Sequence, residues 1–115
     1  MTRSPITTHV LDTTLGQPAK GVPITLEYEQ PNGFVAMASG VTNDDGRIAD
    51  LLPVDHTLAP GRYRMTFDTQ AYFQSVGQKG FYPVVSIVFA LEGPGEHYHI
   101  PLLLSPFGYS TYRGS

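Results

Sequence analysis

Histidine is the side chain whose ordinary pKa lets it take and give a proton near neutrality, and this chain has four: His9, His56, His97 and His99. His97 and His99 stand two residues apart in His97-Tyr98-His99. On a β-strand that spacing points both rings to one face and sends Tyr98, Ile100, Leu102 and Leu104 to the other. The apolar set must take the core, so the histidines project outward. The same test on the first apolar segment turns Ile6 and Val10 inward and leaves Thr7, His9 and Leu11 outside. Three of the four histidines therefore lie on outer strand faces. Singly each is an ordinary surface or interface residue; together they are candidates for acid–base chemistry. Three imidazoles are also a permissible zinc set, although a His-x-His pair alone is weak evidence for one. His56, in Val54-Asp55-His56-Thr57, has no companions and reads as an exposed loop residue.

Arg47 follows the turn Asn43-Asp44-Asp45-Gly46 and, taken alone, is a solvated arginine at the start of a strand. Arg113 is equally plain in isolation. The tail around it is not. Chain ends usually fray, whereas an aromatic-rich segment, Phe107 to Tyr112, runs to within three residues of Ser115. A tail of that kind should be docked.

The elements that must position these groups are short strands. Ten prolines and twelve glycines punctuate the chain, and the segments between them alternate with period two. In Gly21–Glu29 the set Val22, Ile24, Leu26 and Tyr28 opposes Thr25, Glu27 and Glu29. In Arg62–Asp68 the set Tyr63, Met65 and Phe67 opposes Arg62, Arg64, Thr66 and Asp68. Both read as half-buried antiparallel strands. Further strands are expected at Ile6–Asp12, Phe34–Val41, Arg47–Leu51, Tyr82–Leu91, Glu96–Leu104 and Gly108–Tyr112. Turn chemistry separates them, as in Leu15-Gly16-Gln17-Pro18 and Pro31-Asn32-Gly33. Thr69–Val76 follows Asp68, a reasonable N-cap, and reads as one short helix. About eight strands and one helix make an all-β sandwich or barrel. Tyr82–Leu91 is apolar on both faces, so one should meet the core and the other a helix, a second layer or another subunit.

The chain is 115 residues long, which suits one domain spanning 1–115 with one core. Charged residues are only 15%, below the usual quarter, so part of the surface should be covered, most simply by self-association. A net charge of −3 with no basic block argues against nucleic acid as a partner. Cysteine is absent, which removes disulfides, thiolate catalysis and cysteine zinc sites. No secretory signal follows Met1-Thr-Arg-Ser-Pro5, no apolar run suits a membrane span, and Arg113-Gly-Ser115 is no peroxisomal address, so a cytoplasmic location is the expectation. A sandwich has no interior cavity for a substrate. Outward histidines that do chemistry need an enclosing partner, and a second copy related by a two-fold axis would supply one.

With these residues in view, the chain resembles the 5-hydroxyisourate hydrolases, the enzymatic branch of the transthyretin-related proteins. The likeness covers Thr7 to Ser115. It rests on Thr8-His9-Val10-Leu11-Asp12, Gly16-Gln-Pro-Ala, Gly21-Val-Pro-Ile, Thr42-Asn43-Asp44-Asp45-Gly46-Arg47, His97-Tyr-His-Ile-Pro-Leu-Leu-Leu-Ser-Pro106 and Tyr109-Ser-Thr-Tyr-Arg-Gly-Ser115. The Gly-x-Pro and Thr-Asn turns occur widely in transthyretin-like modules. The Tyr-Arg-Gly-Ser terminus with His9, Arg47 and His99 is specific, and the hormone carrier transthyretin is expected to lack that combination.

The resemblance implies a transthyretin-like sandwich of two antiparallel sheets, a homotetramer built as a dimer of dimers, and active sites in clefts between facing dimers. It implies no cofactor and no metal. It implies hydrolysis of 5-hydroxyisourate, a urate oxidation product in purine breakdown, to 2-oxo-4-hydroxy-4-carboxy-5-ureidoimidazoline. His9, Arg47, His99 and Ser115 are then the catalytic set, and His9, Arg47, Tyr112, Arg113 and Gly114 bind substrate. One of His9 and His99 would act as base while the other positions water or protonates the leaving nitrogen. Arg47 would grip the flat ring and stabilise the oxyanion. Tyr112 would pack on or hydrogen-bond the ring, and Ser115 would orient the water or a histidine. His97 either orients its neighbour or packs at an interface. The competing readings are a non-catalytic transthyretin-like carrier of small ligands, a structural sandwich module and a zinc hydrolase.

Overall fold

Alternation decides the first strand. Ile6, Thr8, Val10 and Asp12 are buried along β1 (Ile6–Asp12), while Thr7, His9 and Leu11 are only half-buried. The computed structural model describes residues 4–93 and 96–114. After β1 come β2 (Gln17–Pro18), β3 (Pro23–Gln30), β4 (Gly33–Val41), β5 (Gly61–Phe67), the helix α1 (Thr69–Ser75), β6 (Val85–Leu91), β7 (Tyr98–Ser105) and β8 (Gly108–Thr111). They form two four-stranded sheets, ordered β2-β1-β7-β8 and β4-β3-β5-β6. The inward residues of both meet in one core that includes Ile6, Val10, Ile24, Leu26, Met65, Phe67, Leu102 and Leu104. This is the expected sandwich, with one element the alternation could not show. All strand pairs are antiparallel except β1 with β7, which run parallel with Thr7 opposite His99 and His9 opposite Pro101.

Three local expectations need correction. Arg47–Leu51 is not a strand: only Arg47 bridges, to His9. Ile48, Leu51 and Leu52 are the buried positions there, a spacing of three and one that a period-two strand cannot present to a single core. The eighth strand is instead β2, two residues of the expected Leu15–Pro18 turn that pair back onto Leu11 and Asp12. Pro18 is tolerated because β2 is a sheet edge. The expected strand Tyr82–Leu91 begins only at Val85. Before it, the Tyr82 carbonyl accepts from the Thr69 hydroxyl at 2.6 Å and the Pro83 carbonyl from the Gln70 amide at 3.0 Å. Those residues are held by the start of the helix rather than by a neighbouring strand. Along β6, Val85 and Leu91 are buried and Ile87 and Phe89 half-buried, while Val88 on the other face is open.

The helix forms as its sequence predicts, with the Asp68 carboxylate accepting from the Ala71 amide at 3.1 Å. It presents Tyr72 and Phe73 to the core. The Tyr72 hydroxyl donates to Asp12 at 2.6 Å, and both residues are 2% exposed. The other carboxylate oxygen of Asp12 accepts from the amides of Thr14 and Leu15 at 3.0 and 3.1 Å. One buried acid thus closes the turn after β1 and ties it to the helix. Burial and the facing carboxylate push the Tyr72 hydroxyl well above the ordinary phenol range, so it stays a donor. A hydrogen bond to a charged group is worth about 1.5–3 kcal/mol. Tyr72→Phe should lower the unfolding free energy by about that amount in urea titrations, and an unchanged midpoint would show that the bond is not stabilising.

Candidate active site on the outer face of the β1–β7 sheet

The outer faces of the two sheets differ in kind. On the β3–β5 side, Glu27 and Arg64 form a two-pronged pair at 2.7 and 3.0 Å, and Glu29 meets Arg62 at 2.7 Å. These charges satisfy one another across strands. The β1–β7 face carries Thr7 and His9 from β1 and His99 from β7.

Arg47 reaches this face through a tightly determined turn. The Asn43 side chain accepts from the amides of Asp45 and Arg47 at 2.9 and 3.1 Å, and the Asn43 amide donates to the Arg47 carbonyl at 2.8 Å. Gly46 has φ +73°, and its carbonyl accepts from the Val10 amide at 2.9 Å. A Cβ at Gly46 would stand 2.4 Å from the Val10 carbonyl oxygen, so only glycine allows the turn to press against β1. The next residue then bridges to His9 in antiparallel fashion. An imidazole and a guanidinium from distant parts of the chain are neighbours because of a turn that a Cβ would block.

His99 is placed by the parallel ladder. Its partner is Thr7, two residues before His9, so the His9 and His99 backbones are roughly 8 Å apart by strand spacing. That separation leaves room for a small flat molecule between the rings. The Thr7 hydroxyl lies 2.9 Å from His99 Nδ1 and 3.0 Å from His97 Nε2. His97 precedes the strand, yet Thr7 gathers it onto the same face. Thr7 was not among the expected site residues. Its signal was present in the alternation that put it outward beside His9, but nothing local shows which strand lies across from it.

Proline shapes the tail. Pro101 has no N–H to continue the β7–β8 ladder, and the regular pairing ends at Leu102–Thr111. The Thr111 hydroxyl instead donates to the Pro101 carbonyl at 2.6 Å. Pairing resumes as a single bridge in which the Gly114 amide donates to the His99 carbonyl at 2.9 Å. The His99 ring lies so close that a Cβ at Gly114 would be 2.4 Å from its Cδ2. Tyr112 is exposed in the gap, next to His99 along a groove that Ile87, Phe89 and Tyr98 also line. Arg113 lines the same groove, its guanidinium 5.1 Å from the Tyr98 ring centroid and 3.3 Å from Glu96. Ser115 lies outside the described residues.

The structure therefore brings His9, Arg47, His99 and Gly114 onto one face, with Tyr112 and Arg113 lining the groove beside His99. His56 is half-buried away from this face, in a depression with Tyr28 and Tyr63. Among the described residues no group of three or more His, Cys, Asp or Glu side chains is placed to hold a metal ion, so the three outward histidines do not converge as a zinc set. Burial first, and the Arg47 charge second, lower the pKa of His9; a hydrogen bond to the Asp45 backbone and the Asp45 charge oppose them in part. The ring is thus biased to its neutral form, ready to accept a proton.

A two-sheet sandwich with this outer face is a transthyretin-like protein built with acid–base groups. The chain belongs to the HIUase/Transthyretin family, whose model matches residues 6–114. It is 46% identical over 110 residues to the 5-hydroxyisourate hydrolase of Salmonella dublin, covering 96% of this chain and 80% of that protein. The structure of Klebsiella pneumoniae 5-hydroxyisourate hydrolase aligns with a TM-score of 0.82 at 39% identity, over 96% of this chain and 98% of that one. Transthyretin from Sparus aurata aligns with a TM-score of 0.90 at 35% identity, over 97% of each chain. The scaffold is common to both kinds of protein, so the side chains of the face must separate them.

Because the neutral form of His9 is favoured, its protonation needs a lower pH than an ordinary histidine. Titration of the ring carbon protons by NMR should give a midpoint below 6.5, moving up toward it in Arg47→Gln. A midpoint above 6.5 in the parent protein would contradict the electrostatics of the face.

Proposed function

We propose that the chain is a 5-hydroxyisourate hydrolase acting in urate degradation, and that the reaction takes place on the outer face of the β1–β7 sheet. The observation that carries this reading is the convergence of His9, Arg47 and His99 through the His9–Arg47 bridge and the Thr7–His99 register. Hydrolysis adds water to a ring carbonyl, breaks the C–N bond, and leaves a carboxylate and a ureido nitrogen that must gain a proton. One imidazole takes the proton of the attacking water, and the other positions that water or supplies the proton to the departing nitrogen. Arg47, beside His9, offers a planar fork of donors to the carbonyl oxygen as it becomes an oxyanion. Tyr112 covers the ring of the substrate. Gly114 packs on the His99 ring, and Ser115 orients the water or a histidine. Arg113 anchors the tail through Glu96 and Tyr98, and its contribution to binding runs through the tail's position.

The face is open in one chain. A second copy placed against it would exclude water and turn a surface into a cleft, which favours a homotetramer with sites between facing dimers. No described helix is long and apolar enough to cross a membrane; a cytoplasmic setting suits the substrate.

The test is the ultraviolet decay of 5-hydroxyisourate generated in situ from urate. The parent protein should accelerate it, with and without prior chelator treatment. His9→Ala and His99→Ala should each lower turnover by a factor of about 10²–10⁴ while melting normally. Gly114→Ala, which drives a methyl into the His99 ring, should lower it at least about tenfold, in keeping with the sensitivity of catalysis to ångström displacements. A well-folded parent without effect on the decay would move the assignment to a carrier.

A further inference from the structure

A hydroxyl has one proton. Thr7 Oγ1 sits 2.9 Å from His99 Nδ1 and 3.0 Å from His97 Nε2, both ordinary hydrogen-bond lengths. It can donate to one ring only, and must accept from the other. When both rings are neutral, two arrangements satisfy it. In the first, His99 Nδ1–H donates to Thr7 and Thr7 donates to His97 Nε2; both rings then carry their proton on Nδ1, and His99 Nε2 is an acceptor. In the second, His97 Nε2–H donates to Thr7 and Thr7 donates to His99 Nδ1; both rings carry their proton on Nε2, and His99 Nε2 is a donor. The hydroxyl keeps the two tautomers in step.

We infer that Thr7 is a positioning residue of the hydrolysis, joining His97 and His99 into one proton-carrying unit. The inference rests on the proposed function and deepens it by giving His97 a part. Starting from the first arrangement, His99 takes a proton from the attacking water at Nε2 and becomes an imidazolium. Its Nδ1 proton passes to the Thr7 oxygen as the Thr7 proton passes to His97 Nε2. The positive charge ends on His97, and His99 is left neutral with a proton on Nε2. No proton is lost, and no bond other than N–H and O–H is made or broken. The charge has moved away from the reacting centre, and when the leaving nitrogen takes the Nε2 proton the transfers run back: His97 returns its Nε2 proton to the Thr7 oxygen, Thr7 returns its proton to His99 Nδ1, and both rings end neutral as they began. His9 and Arg47 lie on the β1 side of the face and take no part in the relay.

The placement of Thr7 makes this more than packing. It is locked opposite His99 by the parallel register. The adjacent Thr8 faces the other way and donates to the Ile100 carbonyl at 2.7 Å. One threonine staples the ladder, and its neighbour joins the imidazoles.

The experiment uses the full chain and the variants Thr7→Val, Thr7→Ser, His97→Ala and the Thr7→Val/His97→Ala double. Thr7→Val keeps the shape and removes the hydroxyl; it should lower kcat by about 10–100-fold, the range seen when a metal-bound histidine loses the partner that orients it, with KM within about twofold. Thr7→Ser should recover kcat to within a few-fold of the parent. The double variant should be no slower than the worse single one, since both break one unit. Imidazole 15N spectra of the parent, which need no substrate, should show His97 and His99 in the same tautomer, and that agreement should be lost in Thr7→Val. Opposite tautomers in the parent, a serine variant as slow as the valine one, or multiplicative losses in the double would each overturn the inference. A parent that does not accelerate 5-hydroxyisourate decay yet shows matched tautomers would sink the proposed substrate and leave the proton unit standing.

Discussion

The site depends on one pairing, the parallel ladder between β1 and β7. A parallel pair is slightly less stable per residue than an antiparallel one, and here it stands alone in a sheet of otherwise antiparallel neighbours. Additional bonds offset that weakness. The Thr8 hydroxyl reaches the Ile100 carbonyl, the Thr13 amide and hydroxyl both reach the Leu104 carbonyl, and the Tyr98 amide reaches the Pro5 carbonyl. Beneath it, Ile6, Val10, Leu102 and Leu104 are almost wholly removed from water. A slip of one residue would send His99 to the core and Ile100 to the surface, which gives the core itself the authority to set the spacing of the imidazoles.

Two further constraints press on the same strand, one at its middle and one at its end. At His9, the Asn43–Arg47 turn lies against the backbone of β1 because Gly46 lacks a side chain. At Asp12, a buried carboxylate joins the following turn to the helix through Tyr72. The strand that carries Thr7 and His9 is therefore fixed along its length by partners on three elements. Such support lets a face made of mobile-looking polar groups hold a defined geometry before substrate arrives.

Much of this was legible from residue order. Period-two alternation put His9, His99 and Thr7 outward and their neighbours inward, and the Asp68 cap marked the helix. What alternation cannot tell is which strand lies beside which. Thr7 and His99 are 92 positions apart, so nothing near either one announces the other, and the Thr7–His97 link was missed for that reason. Arg47–Leu51 failed differently. Arg47 bridges to His9 like a strand residue, but Ile48, Leu51 and Leu52 fill the core by a loop that no simple period describes. Arg113 was legible only as part of a tail motif. Its guanidinium rests against both the Tyr98 ring and Glu96, a placement that only the folded tail shows.

The ladder also joins the two ends of the chain, which bears on how the fold closes. The β4-β3-β5-β6 sheet is drawn wholly from the unbroken stretch between residues 23 and 91. It can complete its hydrogen bonds while β1 is still without its main partner. The β1–β7 closure must then span almost the entire chain, and long closures are slow because entropy is lost before contacts repay it. Until then β1 presents an open strand edge with Val10 and Ile6 uncovered, a surface prone to pairing with other molecules. The step that removes this hazard is the one that sets Thr7 opposite His99. Without this ladder His99 has no place opposite Thr7, so that part of the site and the covering of the β1 edge depend on the same closure.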